Sequence, residues 1–82
     1  MDRYTIHELK RAATASFEVY QYRLQKGTDT PDQLLRDLQI CLDGILTAAV
    51  WLSDSYKELE EIERHNDRLI NQFMNLTGEL LA

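Results

Sequence analysis

From Leu34 onward the chain repeats one spacing, with steps of four and three residues running to Leu80. Leu38, Ile45, Leu52, Leu59, Asn66, Phe73 and Leu80 take the a position of a heptad. Leu34, Cys41, Ala48, Ser55, Ile62, Leu69 and Leu76 take the d position. A strand needs period two, so a track this long restricts the chain to helices. Its heptad form predicts coiled-coil-like packing. Between residues 34 and 56 the e positions are apolar as well (Leu35, Leu42, Ala49, Tyr56), which widens the stripe enough to face two neighbours. After Tyr56 it narrows, with Glu60, Glu61, Glu63, Arg64, Asp67 and Arg68 on a solvated side.

Breakers are few, three Gly and one Pro in 82 residues, and their positions divide the chain. A first helix is marked by Ile6, Leu9, Ala13, Phe17, Tyr20 and Leu24, spaced by three and four. Thr5 and Glu8 fit a capping box at its start, while Lys26 and Gly27 suit its end. Thr30-Pro31-Asp32-Gln33 opens the second helix: Thr30 as N-cap, Pro31 where its missing N–H costs nothing, Gln33 completing a capping box. So short a turn packs the two helices as an antiparallel hairpin. No Gly or Pro interrupts residues 45–77. Two architectures follow. One is a hairpin with a single long second arm of about 70 Å. The other is a three-helix bundle broken at Ser53-Asp54-Ser55, where Ser55 and Glu58 form a third capping-box match. The expectation is an all-α single domain over 1–82, with helices about 5–26, 31–52 and 54–80, the last two continuous in the first reading.

The formal net charge of −5 is unevenly spread. Residues 1–28 hold five basic and three acidic side chains, 29–52 one and four, and 53–82 three and seven. A field of this sign repels phosphates, and no Lys/Arg stripe offsets it, so neither nucleic acid nor a membrane surface is expected as partner. The single cysteine, Cys41, excludes an internal disulfide framework. With no apolar signal segment after Met1 and no run of about 20 apolar residues, the expected location is cytoplasmic.

Few residues invite a chemical role. His7 falls in the first turn of helix one, where an exposed position is expected. His65 follows Glu61 by four residues, a spacing that puts two ligands on one face, but a structural metal site needs more donors. Cys41 at a d position reads as a small hydrophobe or as an intersubunit thiol at a parallel dimer axis. The run Glu58, Glu60, Glu61, Glu63 reads as a solvated face, or as a surface steering a basic partner. Asn66 at an a position either pairs with its counterpart and fixes the register of a parallel dimer, or lies at the wet edge of an amphipathic helix. No phosphate loop, Ser-His-Asp set, zinc pattern or dinucleotide fingerprint occurs, so no enzyme, cofactor, metal or small-molecule substrate is expected. The face expected to bind a protein partner comprises Leu42, Leu46, Trp51, Tyr56, Leu69 and Phe73, since one hairpin does not obviously cover them all.

Residues 24–46 carry a family resemblance. Leu-Gln-Lys-Gly-Thr-Asp-Thr-Pro-Asp-Gln-Leu-Leu, continuing to Cys-Leu-Asp-Gly-Ile-Leu, resembles the small co-chaperones of type III secretion needle subunits. The matching features are a Gly-containing turn, a Pro-acidic-Gln opening and a Leu-acidic-Gly-x-Leu segment. The resemblance implies a short acidic helical hairpin that helps keep a needle subunit soluble beside a larger helical-repeat chaperone. Needle subunits, with a Pro-bearing turn and a long second helix, are similar too. The match covers about a quarter of the chain, and the helix over 57–82 is long for such co-chaperones.

The functional expectation is therefore a non-enzymatic chaperone, adaptor or anti-activator that binds a protein through an apolar helical face. Two alternatives stand beside it: a homo-oligomer using its own heptad track as the interface, and a small helical regulator.

Overall fold

The computed structural model describes residues 1–81, and side chains through residue 79. Three helices follow in order, α1 (Arg3–Lys26), α2 (Pro31–Leu52) and α3 (Tyr56–Leu81), and every pair of them is in contact. The bundle measures 42 × 17 × 16 Å. Of the two sequence readings, the three-helix bundle is the one observed, and α2 and α3 are separate. A continuous arm would have left the α3 stripe without a partner, whereas folding back buries it against α1 and α2. No helix among the described residues is long and apolar enough to cross a membrane.

Caps explain the boundaries. At α1 the expected Thr5 cap is corrected: Asp2 is the N-cap, its Oδ1 accepting the Thr5 amide at 2.7 Å. A carboxylate is a stronger acceptor than a hydroxyl and also complements the positive helix end. Its pKa is lowered, chiefly by that backbone hydrogen bond. Gly27 ends α1 with φ +72°, a left-handed geometry that disfavours any other residue, and its N–H donates to the Arg23 and Leu24 carbonyls. Arg23 then clamps the turn through Asp29 at 2.9 and 3.1 Å. Thr30 caps α2 as expected, accepting the Gln33 amide at 3.3 Å. The Gln33 side chain turns to Asp37 instead of closing the capping box.

The core has two parts. Ala13, Phe17, Leu24, Leu34, Leu38, Leu42, Leu69 and Phe73 form the larger, at the end that holds the α1–α2 turn. Phe17 meets Phe73 edge to face, with ring centroids 6.2 Å apart. Towards the α2–α3 connection only Ile6, Ala49 and Ile62 are buried together, with Leu46, Leu59 and Leu9 packed at their margin. Ile45 touches both clusters.

The heptad track survives in α3, where Ile62, Asn66, Leu69 and Phe73 are buried and Leu59 and Leu76 half-buried. In α2 it is corrected. There the buried line is Leu34, Leu38, Leu42 and Ala49, while Ala48 and Leu52 are exposed. A straight helix of 3.6 residues per turn drifts from a strict seven-residue seam, so the buried line moves from the d track to the e track along α2. Ser55 lies in the connection, and the Leu80 side chain is outside the described residues.

Candidate contact surface

Two sides of the bundle have opposite chemistry. Where α1 and α3 run side by side, polar contacts staple them together. The Arg3 guanidinium spans both oxygens of Glu61 at 2.8 and 3.0 Å, and Lys10 Nζ donates to the same carboxylate at 2.6 Å. These two cations hold the Glu61 carboxyl down at about 2. Four residues on, His65 Nε2 lies 3.2 Å from the Lys10 carbonyl and 3.0 Å from the Thr14 hydroxyl. A carbonyl only accepts, so Nε2 carries the proton. Burial lowers the His65 pKa, more than the Lys10 carbonyl raises it. Glu61 and His65 are therefore both committed to internal partners. Among the described residues, no group of three or more His, Cys, Asp or Glu is placed to hold a metal ion. A groove of about 500 Å³ runs along this side, lined by His7, Lys10, Arg11, Thr14, Glu18 and His65, charges of both signs.

The outer side of α2 is the reverse. Residues 44–53 include no ionisable side chain. A helix segment apolar on every side is normally enclosed on every side. Here α1 and α3 cover only half of it. Ile40, Val50, Trp51 and Leu52 are left exposed, with Trp51 at 84%, and Tyr56 follows at 74% just beyond the connection.

The six residues expected to form a partner face divide accordingly. Trp51 and Tyr56 are on the surface, and Leu46 is half-buried at the edge of the smaller cluster. Leu42, Leu69 and Phe73 are 2%, 7% and 0% exposed, all in the larger cluster, which corrects their assignment as contact residues. The expectation treated a hairpin as the whole fold, and α3 supplies the layer that covers them.

Asn66 is corrected as a dimer-register residue for the same reason. Asn66 lies inside the chain's own bundle, 5% exposed, and its Nδ2 donates to the Leu42 carbonyl at 3.2 Å. That bond fixes the amide orientation and leaves Oδ1 buried with no hydrogen-bond partner. The free Cys41 thiol is half-buried 3.5 Å from the Tyr20 hydroxyl. This contact and burial raise the Tyr20 pKa. Of the carboxylate run, Glu60 and Glu63 are solvated, whereas Glu61 is a staple.

Sequence reasoning missed that Ile40, Val50 and Leu52 are exposed. The signal was available, since ten consecutive residues without a charge are more than one buried stripe needs. No protein-family model, curated protein or solved structure matches this chain.

Proposed function

We propose that the chain is a non-enzymatic protein-binding module, an adaptor or chaperone whose contact surface is the outer side of α2 and the adjoining α2–α3 corner. The observation that carries the reading is Trp51, the sole tryptophan, left 84% exposed within an uncharged helical segment. Tryptophan is a frequent interface anchor, because it covers a large apolar area with few rotatable bonds. Exposing it to water serves no purpose in the core. In its most specific form the partner is a secretion needle subunit. The α1–α2 hairpin, turning at Gly27 and Pro31, is the arrangement the resemblance over residues 24–46 implies.

Capture of binding proteins on the immobilised chain tests the reading. Trp51→Asp and Ile40→Asp are each expected to lower recovery of a stoichiometric partner at least tenfold, with helicity unchanged. Arg68→Asp, on the opposite side, leaves recovery intact. Equal recovery with all three variants refutes the α2 surface as the contact.

A further inference from the structure

Resting on the reading of the chain as a protein-binding module, we infer that the groove between α2 and α3 receives an arginine side chain of the bound protein. The juxtaposition that carries this is a buried amide oxygen without a hydrogen-bond partner, set beneath three carboxylates without a cation.

The groove follows from how the two helices lie side by side. Leu42, Asp43 and Leu46 share one flank of α2, and Glu63, Asn66, Asp67 and Ile70 the facing flank of α3. Together they border a space of about 260 Å³. Small-molecule sites run to ~300–1,000 Å³, so this groove has room for a side chain and not for a cofactor.

Asn66 forms its floor, 5% exposed. Nδ2 donates to the Leu42 carbonyl, which fixes the amide and leaves Oδ1 buried with no partner. Buried polar side-chain atoms are in large majority satisfied, and an apolar residue would suit this place in the bundle better. At the rim, Asp43, Glu63 and Asp67 are exposed, and none forms an ion pair among the described residues. No basic side chain lines the groove among the described residues. Arg64 adjoins Glu63 and Asp67 on the outer surface of α3, but its Nε donates to the Glu60 carbonyl. The α1–α3 seam is built differently, for there one carboxylate, Glu61, is held by both Arg3 and Lys10. One seam is saturated from within the chain, whereas the other offers acceptors only.

An occupant of the second seam has to donate hydrogen bonds and carry positive charge. A metal ion does not fit, since no three His, Cys, Asp or Glu among the described residues are placed to hold one. A guanidinium fits acceptors that are spread out, because it presents five N–H donors in a fixed planar fork. One N–H reaches down to Asn66 Oδ1 while the others face the carboxylates. The aliphatic stem lies on Leu42, Leu46 and Ile70, as long basic side chains lie along apolar surface. A guanidinium is also less strongly hydrated than an ammonium, which favours arginine over lysine at a floor closed to water. Opening that floor needs only a change of rotamer in the exposed rim side chains, a motion of nanoseconds or less.

The test uses the full isotope-labelled chain, titrated with N-acetyl-arginine methylamide and followed by NMR. Saturable millimolar binding is expected to shift the Asn66 side-chain carbonyl carbon and to give NOEs from the probe methylenes to the Leu46 and Ile70 methyls. The citrulline analogue, neutral and of the same shape, is expected not to bind, and the lysine analogue to bind at least ~3-fold more weakly. Asn66→Leu is expected to lose at least ~5-fold in arginine affinity, while its melting temperature holds or rises, which separates the loss from unfolding. Asp43→Asn combined with Asp67→Asn is expected to weaken binding as well, and added salt to do the same. Recovery of the protein partner on the immobilised chain falls with Asn66→Leu in step.

No saturation up to about 100 mM overturns the inference. So does a response confined to the exposed carboxylates with the Asn66 carbonyl unmoved, equal binding of the lysine or citrulline analogue, or partner capture indifferent to Asn66→Leu. If the titration fails yet Trp51→Asp still abolishes capture, the outer α2 surface stands and the groove falls. If arginine binds as described and capture follows Asn66→Leu but not Trp51→Asp, the groove stands and the outer surface falls.

Discussion

At the end of the bundle that holds the α1–α2 turn, eight of the described side chains are buried together, with Phe17 and Phe73 among them in edge-to-face contact. At the other end three are buried, one of them an alanine, while Trp51 and Tyr56 lie outside. Apolar residues are supplied to both ends. All three helices contribute to both clusters, and what differs is how much of the apolar circumference of α2 they enclose. In the first region α3 lies over the α1–α2 hairpin and encloses its stripe. In the second the helices reach the connection at residues 53–55, and the apolar circumference of α2 exceeds what two neighbours can hide. The contrast teaches that an aromatic at helical spacing is buried or exposed according to which side of its helix the neighbours cover, not its residue type: Tyr22, at the end with the larger core, is still 58% exposed.

The sharpest way to break this comparison is to exchange the fates of its aromatics. Phe73→Ala, which opens a cavity in the larger cluster, is expected to cost about 3–5 kcal/mol in urea unfolding. A loss below about 1 kcal/mol would mean that this end is not the principal core. Asn66, where the clusters meet, is expected to move the other way. Asn66→Leu removes a buried acceptor that has no partner, and the Leu42 carbonyl keeps its helical bond, so stability should rise by about 1 kcal/mol. A loss instead would show that the amide bond to Leu42 outweighs the orphaned oxygen.

Smaller effects come from the α1–α3 staples near the thin end. Arg3 and Lys10 hold the Glu61 carboxyl at about 2, well below the usual carboxylate range, so its contribution is full above that range and fades as pH falls towards 2. Because the pair is solvated, Glu61→Gln should remove no more than about 1 kcal/mol at neutral pH and flatten the acid limb of the stability curve. His65 acts in the same direction in a higher window. Its lowered pKa favours the neutral folded form, so protonation of the unfolded chain lowers stability as pH falls through the ordinary imidazole range. His65→Gln should remove that slope between pH 7 and 5, as followed by thermal melts. The smallest effect belongs to the exposed aromatic: Trp51→Ser is expected to change the stability of the monomer by under about 0.5 kcal/mol. A larger loss would place the indole in the core, against its 84% exposure.

How much of this was legible in the sequence differs from helix to helix. The α3 stripe from Leu59 to Leu76 could be read position by position, because one continuous track of single-sided burial needs only the helical period. In α2 the same track misplaced Ala48 and Leu52, because the helix is apolar on more than one side and periodicity cannot choose among its faces. Leu42 and Phe73 were read as contacts since the sequence does not say how many layers cover them.

The sequence by itself determined that the chain is helical, where Gly27 and Thr30-Pro31 end and begin its helices, and that Ser53-Asp54-Ser55 is a place to break. These are local matters: backbone conformation, capping bonds and spacing within one or two turns. Only the tertiary structure decided that the break is used, that Asn66 is enclosed, and that Trp51 is left in water. Those outcomes depend on which surfaces three helices can cover at once, and burial is a property of the assembled bundle that no single helix carries.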